Sequence, residues 1–236
     1  MIKCEKVSKT YGSDSNRVVA LDELDVHIGV NEKVAIVGRS GSGKTTLLNL
    51  LSGLDRPTSG SLTVDGMDLG KLGSSSMADY RLRSVGVVFQ SFQLISQRTA
   101  AQNIELPLII AGDSVDVRNV KVNQALQKVG LSDRANHYPY QLSGGEQQRV
   151  AIARAVVKQP RVILADEPTG NLDSHTATEI MQLLMQVCEN ESLTLVLVTH
   201  DLALAGTYTD RQLIMDDGKL SESSNGAFGA AQAVSS

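Results

Sequence analysis

Residues 38–45 carry the strongest chemical signal in the sequence, and they read Gly-Arg-Ser-Gly-Ser-Gly-Lys-Thr. This run matches the pattern G-x-x-x-x-G-K-[ST], whose glycines let backbone N–H groups wrap around phosphate oxygens. In such a loop Lys44 reaches the outer phosphates, and the hydroxyl of Thr45 is a ligand for Mg²⁺. A helix that begins at the loop adds the partial positive charge of its N-terminus. The run therefore predicts a binding site for nucleotide phosphates.

Two adjacent carboxylates, Asp166 and Glu167, follow a run of apolar residues that is typical of a buried strand. Ligands of open α/β sheets bind at the carboxyl ends of the strands, so this pair is expected beside the phosphate loop. There Asp166 can hold Mg²⁺ opposite Thr45, and Glu167 can polarise an attacking water. Without the phosphate loop, the same two residues would only end a strand before a turn at Pro168. His200 follows a later apolar run in the same way.

A second glycine-containing segment, residues 142–149, reads Leu-Ser-Gly-Gly-Glu-Gln-Gln-Arg. Ser143 and Glu146 have the spacing of a capping box, which begins a helix. Capping does not require the two consecutive glycines between them, and glycines cost backbone entropy. Their N–H groups at a helix N-terminus indicate a second cradle for an anion.

Three apolar runs predict the strands that position these side chains, at residues 34–37, 162–165 and 193–198. Runs without polar alternation are typical of parallel strands whose two faces are covered by helices. The predicted fold class is therefore α/β.

Helical and antiparallel elements surround the predicted parallel strands. A stripe of leucines after the first run predicts an amphipathic helix that closes near Gly53; its members are Leu47, Leu50, Leu51 and Leu54. A similar helix after the second run begins near Asp173 or Ser174. Residues 1–30 and 60–69, with a turn at Asp65 and Gly66, predict a small antiparallel sheet.

Between residues 92 and 157 the strand signal gives way to helical patterns. Thr99 and Gln102 have capping-box spacing, and the helix they begin must end or bend at Pro107. Another helix is predicted over residues 114–129, with Gly130 placed to stop it. These patterns predict a mostly helical insert in the α/β core.

The predicted organisation is one domain over residues 1–220. We expect its α/β core at about 1–90 and 154–220, and a helical subdomain at about 91–153. The Ser-, Ala- and Gly-rich segment 221–236 is expected to be a flexible tail.

Composition excludes several classes of function. Lys and Arg number 22 against 26 Asp and Glu, a net charge of −4, whereas proteins held on a nucleic-acid backbone carry a basic excess. Aromatic residues make up only 3% and Trp is absent, so platforms for stacking bases along a nucleic acid are not expected. The isolated Cys4 and Cys188 are typical of reduced core residues in a cytosolic protein. No apolar run approaches the roughly 20 residues of a membrane-spanning helix. We therefore expect neither a nucleic-acid partner nor a membrane span.

Residues 142–149 resemble the signature of ABC-type ATPases, and the other landmarks of that family occur in the family's order over about residues 1–220. The resemblance implies that Tyr11 stacks on adenine and that Asp166 and Glu167 are the Walker B aspartate and the catalytic glutamate. It also implies that Gln90 contacts Mg²⁺ and that His200 is the switch histidine. The residues that bind the nucleotide would be Tyr11, Gly38, Arg39, Ser40, Gly41, Ser42, Gly43, Lys44, Thr45, Thr46, Ser143, Gly144, Gly145, Gln147 and Asp173 of the D-loop.

Shorter segments narrow the resemblance to one branch of the family. Residues 53–60, 101–107 and 164–173 are similar to the lipoprotein-releasing, macrolide-export and cell-division ATPases. The branch implies a homodimer around two ATP and Mg²⁺, with each ATP between the phosphate loop of one copy and residues 143–145 of the other. It implies a cytoplasmic protein held on the inner face of the cell membrane by an integral-membrane permease, which would meet the segment 91–108 after Gln90.

Three alternatives remain open on the sequence alone. The first is an ATPase of the same branch that transmits force through a permease without moving cargo, as in cell division. The second is a DNA-repair or translation ATPase of the same superfamily, which the single uninterrupted copy and the absence of a basic stripe disfavour. The third is a P-loop kinase, which has no use for the cradle at Ser143.

Overall fold

The computed structural model describes residues 1–12 and 16–222. Within these ranges the strands are β1 Ile2–Tyr11, β2 Val18–Ile28, β3 Lys33–Val37, β4 Ser59–Val64, β5 Met67–Asp68, β6 Val85–Phe89, β7 Val162–Asp166, β8 Thr194–Thr199, β9 Arg211–Asp216 and β10 Lys219–Glu222. The α-helices are α1 Lys44–Leu51, α2 Ser74–Arg83, α3 Ala100–Ala111, α4 Val115–Lys128, α5 Gly144–Val156, α6 Ser174–Asn190 and α7 Leu202–Tyr208. Short 3₁₀ helices at Ser132–Arg134 and Pro139–Gln141 connect α4 to α5.

The larger sheet contains the three predicted strands and has the order β10-β9-β3-β8-β7-β6. Strands β9, β3, β8, β7 and β6 run parallel, and β10 pairs antiparallel with β9 at the edge. All six residues of β8 are buried, as expected for a strand with helices on both faces. The predicted α/β class is confirmed.

The smaller sheet is antiparallel, has the order β2-β1-β4-β5, and occupies the predicted segments. The β4–β5 hairpin turns at Asp65 and Gly66, whose φ angles are +49° and +77°. Two successive residues with positive φ form the type I′ turn that matches the twist of a two-residue hairpin.

Helix α1 differs from its prediction at one position. Leu47, Leu50 and Leu51 are buried, but Leu54 is 62% exposed because the helix ends at Leu51. The chain turns at Gly53, where φ is +70° and a Cβ would lie 2.5 Å from the sulfur of Met77. Leu54 therefore lies beyond the helix, and its inclusion in the buried stripe was wrong.

The helical segment begins as predicted with a capping box, in which the Thr99 hydroxyl accepts from Gln102 N–H and the Gln102 side chain accepts from Thr99 N–H. Helix α3 continues through Pro107 to Ala111, so the proline does not end it. Helix α4 is followed by Gly130 at φ +71°, the predicted stop.

In the described part of the chain, the two larger hydrophobic cores lie on opposite faces of the larger sheet. One packs α3, α4, α5 and α6 against β6, β7 and β8. The other packs α1, α2 and the antiparallel sheet against the opposite face. Helix α5 also approaches β6 closely, since a Cβ on Gly86 would lie 2.6 Å from the carbonyl oxygen of Ala155. The predicted helical segment thus shares its core with the sheet.

The last described residues belong to the larger sheet. Ser221 pairs with Ile214 and Glu222 pairs with Leu213 in the β9–β10 hairpin. The strand therefore extends two residues into the segment predicted as a tail, and residues 223–236 lie outside the described residues. Within the described part of the chain, every helix is too short or too polar to cross a bilayer.

Candidate active site

The phosphate loop, residues 38–45, joins β3 to the start of α1, and close backbone contacts require glycine at two of its positions. Gly43 at the helix start has φ +109°, and a Cβ there would lie 2.6 Å from the carbonyl oxygen of Ala20. A Cβ on Gly38 would lie 2.2 Å from the carbonyl oxygen of Met215. The two glycines let the loop pack directly on the backbones of β2 and β9, which fixes its position.

Lys44 is buried at the start of α1 and crosses the loop. Its ammonium donates to the carbonyl oxygens of Gly38 and Arg39, at 2.7 Å each. Only 9% of the residue is exposed. These two carbonyl oxygens therefore hold the Lys44 ammonium at a position where phosphate oxygens would replace them as acceptors.

A cavity of about 660 Å³ opens over the phosphate loop, at the edge where the parallel strands end. Four neighbouring strands each deliver a predicted residue to it: β3 leads into Lys44, β6 into Gln90, β7 ends in Asp166, and β8 leads into His200. The complete lining is Val18, Val19, Ala20, Ser40, Gly41, Gly43, Lys44, Thr45, Thr46, Gln90, Asp166, Glu167 and His200. This is the edge at which open α/β sheets bind their ligands.

Glu167 is held in a conformation that is rare for its residue type. Its φ is +46°, and its N–H donates to the carbonyl oxygen of Val198 at 2.9 Å. Its Oε1 lies 2.8 Å from Nδ1 of His200. A non-glycine residue in the left-handed region stores about 1–3 kcal/mol of strain, and such residues cluster at active sites. The strain and the His200 contact fix where this carboxylate points.

The neighbouring Asp166 lies in an electrostatically unfavourable place for a carboxylate. Burial and the charge of Glu167 raise the pKa of Asp166, and the charge of Lys44 opposes that increase. A cation at this position would relieve the repulsion between the two carboxylates.

Gln90 is tied to the segment that follows Glu167. Its side-chain Nε2 donates to Oδ1 of Asn171 at 3.3 Å, and Nδ2 of Asn171 donates to the carbonyl oxygen of Gln90 at 3.0 Å. A Cβ on Gly170 would lie 2.6 Å from Nε2 of Gln90. A displacement of Gln90 would therefore displace Gly170 and Asn171, which precede Asp173.

Tyr11 lies beside the cavity rather than in its lining. It pairs with Val18 across the β1–β2 register and is 41% exposed. Val18 and Val19 line the cavity while 61% and 49% exposed, although sequence reasoning did not single them out. Two consecutive valines at the start of a strand are too common a pattern to signal an exposed apolar wall.

Ser143, Gly144, Gly145 and Gln147 lie outside the cavity, at the start of α5. The capping box is present, since the Ser143 hydroxyl accepts from Glu146 N–H at 3.2 Å and Glu146 accepts from Ser143 N–H at 2.8 Å. The Gln147 side chain donates to the carbonyl oxygen of Leu142 at 3.1 Å, within its own segment.

The two glycines of this segment also have a packing role that the sequence did not reveal. A Cβ on Gly145 would lie 2.6 Å from Cγ2 of Thr176, and one on Gly144 would lie 3.1 Å from Cδ2 of Leu172. The start of α5 therefore lies directly against the start of α6. Larger residues would separate the two helix N-termini.

Asp173 is the N-cap of α6 and likewise lies outside the cavity. Its carboxylate accepts from the N–H groups of His175 and Thr176 and from the Thr176 hydroxyl, at 3.1, 3.0 and 2.6 Å. These hydrogen bonds lower the pKa of Asp173 and keep the carboxylate ionised. The remaining predicted loop residues, Gly38, Arg39 and Ser42, belong to the phosphate loop but do not line the cavity.

A separate groove of about 420 Å³ lies between the larger sheet and the helical segment. Its lining includes Leu54, Phe89, Gln93, Leu106, Pro107, Arg154 and Lys158. The residues between 91 and 108 thus contribute part of one wall. Leu94 packs against the hydrophobic core instead.

The fold and the cavity define a P-loop nucleotide-binding protein: a parallel sheet whose strand ends combine a phosphate loop with adjacent carboxylates. The family model described as "ABC transporter" matches residues 21–170, and the chain belongs to that family. The predicted resemblance to ABC-type ATPases is confirmed.

The chain is similar to two curated relatives over nearly its whole length. It is 47% identical to the lipoprotein-releasing system ATP-binding protein LolD of Syntrophotalea carbinolica, covering 93% of this chain and 96% of that protein. It is 43% identical to LolD of Chromohalobacter salexigens, covering 94% and 93%. The predicted lipoprotein-releasing branch is supported by these two relatives.

A solved structure has the same fold. It is described as a dimeric post-hydrolysis state of the ATP-binding cassette MJ0796 bound to ADP and Pi. It is 41% identical in sequence, with a TM-score of 0.85 over 94% of this chain and 97% of that one.

Proposed function

We propose that this chain binds and hydrolyses ATP to drive an integral-membrane permease that releases lipoproteins. The observation that supports it most strongly is the convergence of Lys44, Gln90, Asp166, Glu167 and His200 on one cavity. The LolD names of the two relatives support lipoprotein release over force transmission without cargo.

The proposed nucleotide position follows from the electrostatics of the cavity. The triphosphate lies along the phosphate loop, where the N–H groups of the loop and the N-terminus of α1 meet it. Lys44 exchanges its two carbonyl partners for phosphate oxygens, a charge-assisted bond that is stronger than a neutral one. The base extends past Val18 toward Tyr11.

The donors around Asp166 fit Mg²⁺. The Thr45 hydroxyl, the Gln90 carboxamide and the Asp166 carboxylate are hard oxygen donors, and one carboxylate combined with substrate phosphates is the usual arrangement for this ion. Within the described ranges, no cluster of three or more His, Cys, Asp or Glu side chains is placed to hold a metal. This is consistent with a metal that arrives with the nucleotide and neutralises phosphate charge.

Glu167 is the proposed general base for hydrolysis. Its carboxylate faces the cavity beside the phosphate loop and accepts a proton from the water that attacks the outer phosphate. His200 holds that carboxylate through the 2.8 Å contact. Gln90 shifts position when the outer phosphate is lost, and its two hydrogen bonds to Asn171 move that residue with it.

Ser143, Gly144, Gly145, Gln147 and Asp173 are proposed to complete the site of a second copy. They lie outside the cavity of their own chain, on two helix N-termini in contact. A helix N-terminus attracts phosphate, so this paired surface suits an ATP held by a facing copy. The dimeric state of the MJ0796 structure supports the same arrangement.

We further propose that residues 91–153 act as a helical subdomain that carries the Ser143–Gln147 part of this surface and that the groove at Leu54 and Gln93 receives the permease. The protein would then work on the cytoplasmic face of the membrane, held there by its partner.

Mixed dimers test the proposed composite site. Ser143→Arg blocks the facing surface, and Lys44→Ala weakens the phosphate loop, so each variant alone should lack ATPase activity. A mixed dimer contains one site with both halves intact and should regain part of the activity. Dimers proven to be mixed that remain inactive would contradict two independent composite sites.

Reconstitution tests the transport role separately. We expect the ATPase to copurify with a permease and to release a lipoprotein from vesicles in an ATP-dependent manner. Stimulation of the ATPase without release of lipoprotein would favour force transmission alone.

A further inference from the structure

The ring of Tyr11 is held by an ion pair that lies outside the cavity. Its hydroxyl donates to Oδ2 of Asp55 at 2.8 Å. The ammonium of Lys9 lies 2.6 Å from Oδ1 of the same carboxylate and 4.9 Å from the centroid of the Tyr11 ring. One face of the ring is therefore covered by a cation, and its hydroxyl is fixed by the counter-ion of that cation.

The ion pair is itself anchored to the backbone. The Lys9 ammonium also donates to the carbonyl oxygen of Arg56 at 2.8 Å, and Oδ1 of Asp55 accepts from Arg56 N–H at 2.7 Å. The side chains of Lys9 and Asp55 are 12% and 30% exposed. A partly buried network of this kind holds its geometry better than an isolated surface pair.

The protonation states support this arrangement. Burial raises the pKa of Asp55, but the bonds from Lys9, from Arg56 N–H and from Tyr11 outweigh it and leave the pKa below its ordinary value. Burial and Asp55 together raise the pKa of Tyr11, against the opposite effect of Thr46. Asp55 is thus ionised and Tyr11 is a donor at neutral pH.

The segment between α1 and β4, which contains Asp55, is attached to β1 by hydrogen bonds that do not involve the ion pair. Thr58 N–H donates to the carbonyl oxygen of Ser8 at 2.8 Å, and Thr10 N–H donates to the Thr58 hydroxyl at 3.0 Å. These bonds already join β1 to the connection between α1 and β4. The pair of Lys9 and Asp55 adds contacts to the Tyr11 side chain.

We propose that Lys9 and Asp55 are positioning residues for the base of the bound nucleotide, holding Tyr11 so that its uncovered face receives the flat heterocycle. The inference rests on the proposed function, in which Tyr11 contacts the base. Ordering an exposed, rotatable side chain on binding lowers affinity by about two- to tenfold, and the ion pair removes that cost in advance. Neither residue touches the nucleotide itself.

The test compares a ligand that has a base with one that has none. Asp55→Asn keeps the size of the side chain, Lys9→Met keeps its apolar stem, and Tyr11→Phe removes only the hydroxyl. Each should weaken ATP binding about two- to tenfold, measured by calorimetry, and leave the binding of inorganic tripolyphosphate unchanged. KM for ATP should rise by the same factor while kcat stays constant.

A matched control and a second background complete the experiment. Asp68 lies on β5, the edge strand of the antiparallel sheet, and forms an ion pair with Lys71 at 2.7 Å. Asp68→Asn breaks this pair and should change neither the affinity for ATP nor the affinity for tripolyphosphate. In a Tyr11→Ala background, Asp55→Asn should have no further effect, because there is no ring left to position.

The outcomes separate the inference from the proposed function. Equal weakening of ATP and tripolyphosphate by Asp55→Asn, or an undiminished effect in the Tyr11→Ala background, would overturn the positioning role. Unchanged ATP affinity in all three single variants would also overturn it. A wild-type protein that binds neither ligand would instead contradict the proposed function.

Discussion

Replacing Glu167 by Gln is the most direct perturbation of the proposed chemistry. The amide has the size of the carboxylate but cannot take up a proton at neutral pH. The backbone that aims this side chain, with φ +46° and the hydrogen bond to Val198, does not depend on the charge. Gln therefore occupies the same position and can keep a hydrogen bond to His200.

The variant loses the general base, which sets the expected fall in kcat, and keeps the phosphate contacts, which set the expected affinity for ATP. A positioned general base contributes about 10²–10⁴-fold, or roughly 3–5 kcal/mol of barrier, so kcat should fall by that factor. Lys44 and Thr45 are untouched, and the triphosphate faces one negative charge fewer. Affinity for ATP should therefore be retained or increased, and the variant should accumulate as an ATP-bound dimer.

Three measurements on one preparation check this prediction. Phosphate release gives kcat, calorimetry gives the affinity for ATP, and light scattering with ATP or ADP gives the oligomeric state. Glu189→Gln, on the exposed last turn of α6, is the matched control. A kcat within tenfold of wild type, or a loss of ATP binding, would refute the assignment of Glu167 as the base.

Three further predictions follow from other parts of the chain. Lys44→Ala should weaken ATP binding about ten- to a hundredfold in a titration with a fluorescent analogue, because a charge-assisted contact of about 1.5–3 kcal/mol is lost. Lys71→Ala, at an exposed lysine, is the control. Unchanged affinity in the Lys44 variant would show that the phosphates bind elsewhere. Leu54→Ser should leave basal ATPase within a few fold but reduce its stimulation by the permease, since Leu54 is exposed in the groove; full stimulation in a stably folded variant would place the partner elsewhere. Burial lowers the pKa of Lys158 to about 8, so the folded protein binds this proton less tightly than the unfolded chain. Lys158→Met should therefore raise the free energy of unfolding by about 1–3 kcal/mol below pH 8, an advantage that fades toward pH 10.5 in denaturant titrations; a pH-independent difference would contradict this cause.

The sequence predicted the elements whose signals are local. The phosphate loop, the capping boxes at Thr99 and Ser143, and the buried strands are encoded within a few consecutive residues. Leu54 shows the limit of this reasoning, because its spacing fits the leucine stripe while a glycine turn ends the helix first. The sequence pattern does not predict helix α2, because this helix buries only Met77 and Tyr80 and begins with three serines.

The contacts that sequence reasoning missed join residues far apart in the chain. Tyr11 and Asp55 are separated by 44 positions, and no local pattern pairs them. The glycines at 144 and 145 were interpreted only as an anion cradle, whereas the structure adds tight packing against Leu172 and Thr176. Such partners depend on how the strands and helices are arranged, which periodicity does not specify.

The strand order has a consequence for how this protein acquires its activity during synthesis. Strand β8 lies between β3 and β7, so one strand separates the phosphate loop from Asp166 and holds both in register. On the ribosome, Lys44 and Asp166 both emerge before β8 does, and until Thr194–Thr199 inserts between their strands they have no common sheet. A nucleotide can therefore contact Lys44 and Asp166 together only after β8 has inserted. A chain interrupted before β8 would contain the phosphate loop and the carboxylates but lack the strand that joins β3 to β7.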